Sequence, residues 1–203
     1  MVGLPKLANL DLSFNKNITG TGFSHFGKKN ELYFLNLQNT GIGDEGLGYL
    51  SNFGTIFGIS LARTNIDAKG MSALASIRNL SSLDLSNTHI GKSGLATLCR
   101  KNPYLLTLYL AGVEIGDDSV PYLLQLKNLD SLDVSGTNIT GDGIKQLAEL
   151  KNLKTLWCGS CKVGSVRALI NQLKPQLIIS EDPRKEGYSA PEVSPKSLGD
   201  TIK

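Results

Sequence analysis

One phrase returns through the chain: "LNLQNTGIGDEGLGYL" at 35–50, "LDLSNTHIGKSGLATL" at 83–98 and "LDVSGTNITGDGIKQL" at 132–147. Its central residue falls at Asn15, Thr40, Thr64, Thr88, Val113, Thr137 and Cys161, at spacings of 25, 24, 24, 25, 24 and 24. This period constrains the fold more than composition does. A unit so short cannot bury its own apolar side chains, so stacked neighbours must bury them together.

The same apolar frame precedes each central residue: Leu32, Leu35 and Leu37; Leu80, Leu83 and Leu85; Leu129, Leu132 and Val134. Its inner pair is two residues apart, which is strand spacing with both side chains on one face. An isoleucine or valine follows, at Ile18, Ile42, Ile66, Ile90, Ile115, Ile139 and Val163. Next comes Thr19, Gly43, Asp67, Gly91, Gly116, Thr140 or Gly164, types suited to a helix N-cap. Apolar residues three apart then mark one helix face: Leu47 and Leu50, Met71 and Leu74, Leu95 and Leu98, Val120 and Leu123, Ile144 and Leu147. The unit is strand, turn, helix, turn.

The frame L-x-x-L-x-L-x-x-(N/T/C)-x-I resembles the leucine-rich repeat, over residues 4 to about 180. The "NTGIGDEGLGYL" form is similar to the cysteine-containing subclass and to many bacterial repeats. The resemblance implies an α/β fold: a right-handed solenoid, or horseshoe, with a concave parallel sheet and short convex helices. Val113 stands where a polar ladder residue is expected, so repeat five should lose a side-chain hydrogen bond to the inter-repeat backbone. Repeat seven is shortened, with Val163 three residues before Val166, and "LIIS" at 177–180 is a candidate eighth strand. Residues 1–180 are thus expected to form the repeat domain and 181–203, charged and proline-bearing, a tail or extended cap. Leu4 and Leu7 already match Leu126 and Leu129, as expected of a piece of something longer.

The charge of +3 is interspersed rather than gathered into one run, which argues against nucleic-acid binding. No apolar stretch approaches the roughly 18 residues of a membrane span, and the N-terminus lacks the pattern of a signal peptide. Three cysteines make no disulfide framework, so a reducing, cytoplasmic location is expected, or the host cytosol for a secreted effector.

No residue pattern suggests catalysis, a cofactor or a metal. Cys158 and Cys161 have a metal or redox spacing, but the register puts Cys158 in the core and Cys161 at the ladder position, so both read as structural. His25 and His89 fall beside no plausible nucleophile in this register. Gly41, Gly43, Gly141 and Gly143 lack a Walker-type ending and read as turn glycines.

The concave face remains. One side chain per strand points outward between the leucines: Asp11, Asn36, Ser60, Asp84, Tyr109, Asp133 and Trp157. Two further outward columns are expected, Ser13, Gln38, Ala62, Ser86, Ala111, Ser135 and Gly159, then Phe14, Asn39, Arg63, Asn87, Gly112, Gly136 and Ser160. Exposed Tyr109 and Trp157, the single tryptophan, are the types that anchor protein interfaces. The expectation is a monomeric, non-catalytic module that binds a protein partner through Tyr109, Asp133 and Trp157, with Asp84 and Arg63 setting a preference for a basic segment. The alternative is the substrate-recognition part of a ubiquitin ligase of F-box type or of a bacterial effector.

Overall fold

The computed structural model describes residues 7–161 except 27–30, 52, 75 and 78, together with 168, 171, 174, 176 and 178–180. The expected shortening of repeat seven at Val163 and Val166 and the expected tail at 181–203 lie outside the described residues.

Each frame forms a three-residue strand: β1 (Asn9–Asp11), β2 (Phe34–Asn36), β3 (Gly58–Ser60), β4 (Ser82–Asp84), β5 (Thr107–Tyr109), β6 (Ser131–Asp133), β7 (Thr155–Trp157) and β8 (Ile178–Ser180). They pair in sequence order as one open, fully parallel sheet, with Leu35, Ile59, Leu83, Leu108, Leu132 and Leu156 in lateral register. The "LIIS" segment does add a strand, since Trp157 pairs with Ser180. Helices return the chain on the far side: α1 (Asp44–Leu50), α2 (Met71–Leu74), α3 (Gly91–Lys101), α4 (Val120–Leu123) and α5 (Gly141–Leu147), with 3-10 turns at Thr21–His25 and Asp117–Ser119. The core is the layer between them. The inward residues of β2 to β7 and the helix pairs Leu47 and Leu50, Met71 and Leu74, Leu95 and Leu98, Val120 and Leu123, Ile144 and Leu147 are all closed to solvent.

The turn that ends each strand differs from expectation. Residues Phe14, Asn39, Arg63, Asn87, Gly112, Gly136 and Ser160 all have φ between 55° and 68°, the left-handed region. They are therefore no third outward column of the sheet but the residue that stops it, a position suited to Gly and Asn. The ladder threonines also bond locally. Thr40, Thr64, Thr88 and Thr137 donate their hydroxyls to the carbonyls of Leu37, Leu61, Leu85 and Val134 in their own repeats, at 2.5–2.8 Å, rather than across the inter-repeat interface. Val113 keeps only the backbone half of this turn, its N–H donating to the Leu110 carbonyl at 3.1 Å.

Polar side chains also join neighbouring repeats where the chain enters the helical side. Asp44 accepts the Asp67 N–H at 3.1 Å, and Asp117 accepts both the N–H and the hydroxyl of Thr140, at 2.8 and 2.6 Å. The expected N-caps hold at Gly43, Gly116 and Thr140, whose hydroxyl accepts the Asp142 N–H. Gly143, expected in a turn, lies inside α5. A Cβ there would stand 2.3 Å from the Asp117 carboxylate, so the glycine leaves room for the clamp from the preceding repeat.

Gly46 in α1 is tighter still, because a Cβ would meet the Thr19 carbonyl oxygen at 2.2 Å and Ile42 Cγ1 at 2.7 Å. Gly48, two residues on, has nothing within 4 Å. Gly46→Ala should cost about 2 kcal/mol or more by forcing repeats apart, while Gly48→Ala should gain about 0.5–1 kcal/mol from helix propensity. Denaturant unfolding of the two variants measures the opposite signs directly.

Candidate functional site

Lateral register places Ser60, Asp84, Tyr109, Asp133 and Trp157 in one row across five strands. Two carboxylates thus sit astride one tyrosine. Strands separated by one neighbour lie about 10 Å apart, yet the Tyr109 and Trp157 rings approach to 5.8 Å between centroids at 52°. The rings therefore lean toward each other across the intervening strand, over Asp133.

The carboxylates are bound to the turn that follows them. Asp84 accepts the Ser86 N–H at 2.9 Å and the Ser60 hydroxyl at 3.3 Å, and Asp133 accepts the Ser135 N–H at 2.8 Å. Asp11 and Asn36 do the same for Ser13 and Gln38, at 2.8 and 3.0 Å. This is an Asx turn repeated along the row. Asp and Asn were legible in the outward column, but this backbone role was not read from them.

Of the five residues expected to bind a partner, four come together and one does not. Arg63 is exposed on the left-handed turn, and no ion pair among the described residues involves it. Tyr109 and Trp157, expected to be exposed, are only 7% and 8% accessible, and Asp84 and Asp133 only 3% and 1%. Side chains on the inside of a curved sheet converge, and here they meet. A further outward column, Asn9, Phe34, Gly58, Ser82, Thr107, Ser131 and Thr155, was overlooked. In it the Phe34 ring occupies the space a side chain at Gly58 would need, 2.6 Å from a Cβ built there.

Burial sets the electrostatics of the row. It raises the Asp84 and Asp133 carboxyls above the ordinary 3.8, against the pull of their serine hydrogen bonds. Asp84 raises Asp133 further. Burial, then the two carboxylates, push Tyr109 up to about 12. The row is a desolvated anionic floor.

Chemistry elsewhere is sparse. His25 does meet a hydroxyl, contrary to expectation: its Nδ1 lies 3.1 Å from Ser24 Oγ. That hydroxyl, however, donates to the Thr21 carbonyl at 2.7 Å, on an exposed 3-10 turn. His89 is exposed on its turn, as expected. Cys158 is buried at the core position and Cys161 half-buried at the ladder position. Among the described residues no three histidine, cysteine or acidic side chains form a metal cluster, and no helix is long and apolar enough to cross a membrane.

The family model for the Leucine Rich repeat matches residues 32–51, 76–99 and 125–148. Together with the open parallel sheet and its registered leucines, these matches give the chain leucine-rich repeats and the leucine-rich-repeat fold. Among solved structures it is similar to an internalin C2 from Listeria monocytogenes, with a TM-score of 0.54 and 23% identity over 85% of this chain and 80% of that one. A Leptospira interrogans leucine-rich-repeat protein is similar at TM-score 0.52 and 23% identity, over 74% of this chain but 37% of that one. These likenesses concern the fold alone. No curated protein matches the chain at a significant level.

The Asx turns and the raised carboxyls generate a pH prediction. A carboxyl whose folded pKa is raised binds its proton more tightly in the folded state, so stability falls as pH climbs from 3.8 through the raised value. Asn keeps the acceptor oxygen, as Asn36 shows in the same row, and removes the buried charge. Asp84→Asn and Asp133→Asn should therefore raise the melting temperature at pH 7 and leave it nearly unchanged at pH 3, as read by thermal unfolding at the two pH values.

Proposed function

We propose that the chain is a non-catalytic recognition module whose concave sheet receives a protein partner through a basic segment. The observation that carries this reading is the row in which Asp84 and Asp133 flank Tyr109 with Trp157 beyond. Carboxylates withdrawn from water hold their charge at a cost, and a cation placed beside them offsets it more strongly than it could at an exposed site. The accessible parts of the tilted Tyr109 and Trp157 rings add an apolar, cation-receptive element to the same face.

Access runs over the less buried parts of the same face. Asp11 is exposed, Asn36, Gln38, Thr107, Ser131 and Thr155 are half-buried, and the turn residues Arg63 and Asn87 are exposed. A partner would lie across these positions with its basic side chains directed to the floor, and Arg63 would select against a second positive charge near its own turn. A reducing, cytoplasmic compartment goes with this reading.

The test is affinity capture followed by titration of the captured partner against wild type and a Tyr109→Ala, Trp157→Ala double variant, with circular dichroism confirming that both fold. Truncating two central aromatics should weaken binding at least about tenfold, and the wild-type affinity should fall with added salt. Equal affinity for both chains would move the interface off the concave row.

A further inference from the structure

Cys158 and Cys161 were expected to be two separate structural cysteines, one in the core and one in the ladder. The register instead makes them neighbours. The residue that closes each turn points back toward the carbonyl of the last inward strand residue, as the hydroxyls of Thr88 and Thr137 do. In repeat seven both positions hold cysteine, so the two side chains stand at the two ends of one closed turn.

The backbone brings the two residues within reach of a bond. The Cys161 N–H donates to the Cys158 carbonyl at 2.9 Å, closing a four-residue turn through Ser160, whose φ is 64°. Such a turn holds its end Cα atoms within about 7 Å, and disulfides span roughly 4.4–6.8 Å. Cys161 is half-buried, whereas Cys158 is closed to solvent. The Cys161 thiol also meets the Val134 carbonyl, at 3.4 Å, a weak contact that a covalent bond can replace.

We propose that Cys158 and Cys161 are a modification site, a dithiol that closes reversibly to a disulfide by exchange with a small-molecule disulfide such as oxidised glutathione. Cys161 attacks first, because it is the accessible sulfur. Its thiolate, having given its proton to solvent, forms a bond to one glutathione sulfur and breaks the glutathione S–S bond, and the departing thiolate takes up a proton. The Cys158 thiolate then attacks Cys161 Sγ, forming the intramolecular bond and expelling the second glutathione as a thiol after protonation. The protein loses two electrons and two protons, and one glutathione disulfide becomes two thiols.

The roles suit the two sulfurs. The hydrogen bond from the Cys158 side chain holds the Cys161 thiol below its ordinary 9.0, with burial opposing. Cys99, by contrast, is pushed up to about 12 by burial and has no cysteine beside it in the chain, so it serves as an internal control. Cys158 directly follows Trp157, so the closed disulfide would stiffen the end of β7 beneath the aromatic pair of the concave row.

The experiment equilibrates the whole chain with mixtures of reduced and oxidised glutathione, alkylates free thiols in denaturant, and maps the products by mass spectrometry. Two of the three thiols should disappear together, in a Cys158–Cys161 linked peptide lacking two hydrogens, while Cys99 is alkylated at every ratio. Cys158→Ser should stall with glutathione on Cys161, since the resolving sulfur is gone. Alkylation of all three thiols under oxidising mixtures would overturn the proposal, as would glutathione retained on Cys161 in the wild-type chain.

Discussion

The closed turn at the end of every strand is the constraint on which the rest of the molecule depends. After the last inward residue the chain takes one left-handed residue and bonds back three positions, as Thr88 does to Leu85, Val113 to Leu110 and Cys161 to Cys158. This turn cuts the strand to three residues and sends the chain toward the helical side. Because it has the same geometry in each repeat, the inward leucines meet their lateral partners with no slip, and the backbone bonds of one strand end fall on the next, as from Leu85 N–H to the Tyr109 carbonyl.

The candidate site inherits its shape from that turn. Asp84 and Asp133 bend toward the amides of Ser86 and Ser135, which the turn points away from the ladder, and so lie low against the sheet. Tyr109 and Trp157 carry rings at the same row position and meet each other. One residue thus has two consequences: the aspartates complete the backbone of their own repeats and, gathered by stacking, make the anionic floor. Burial raises their carboxyls because the neighbouring rings and strands exclude the water that would stabilise the charge.

Much of this was legible in the sequence because it is covalently periodic. The strands, the helix pairs, the eight-strand order and the outward column from Asp11 to Trp157 all follow from a frame repeating every 24 or 25 residues. What escaped depends on lateral or dihedral facts that a frame does not carry. Arg63 looked like a sheet residue because it continues the strand in sequence, and only its φ of 57° reveals that the strand has already ended. Trp157 looked exposed because alternation gives the direction of a side chain and not what it meets there. Gly143 looked like a turn glycine, whereas its role is to admit Asp117 from the previous repeat. Cys158 and Cys161 looked independent because core and ladder positions were read as separate columns, when the turn folds one onto the other.

The most direct measurement of the account is the stability of paired substitutions at the left-handed position. Arg63 adopts a φ that two other repeats give to Asn39 and Asn87, and Gly136 occupies it without a side chain. Arg63→Asn should raise unfolding free energy by up to about 1 kcal/mol, and Gly136→Val should lower it by about 1–3 kcal/mol, since a β-branched residue is strained there. Opposite signs in denaturant unfolding are the predicted result. A neutral or stabilising Gly136→Val would contradict the claim that this turn conformation ends each strand and sets the register of the sheet.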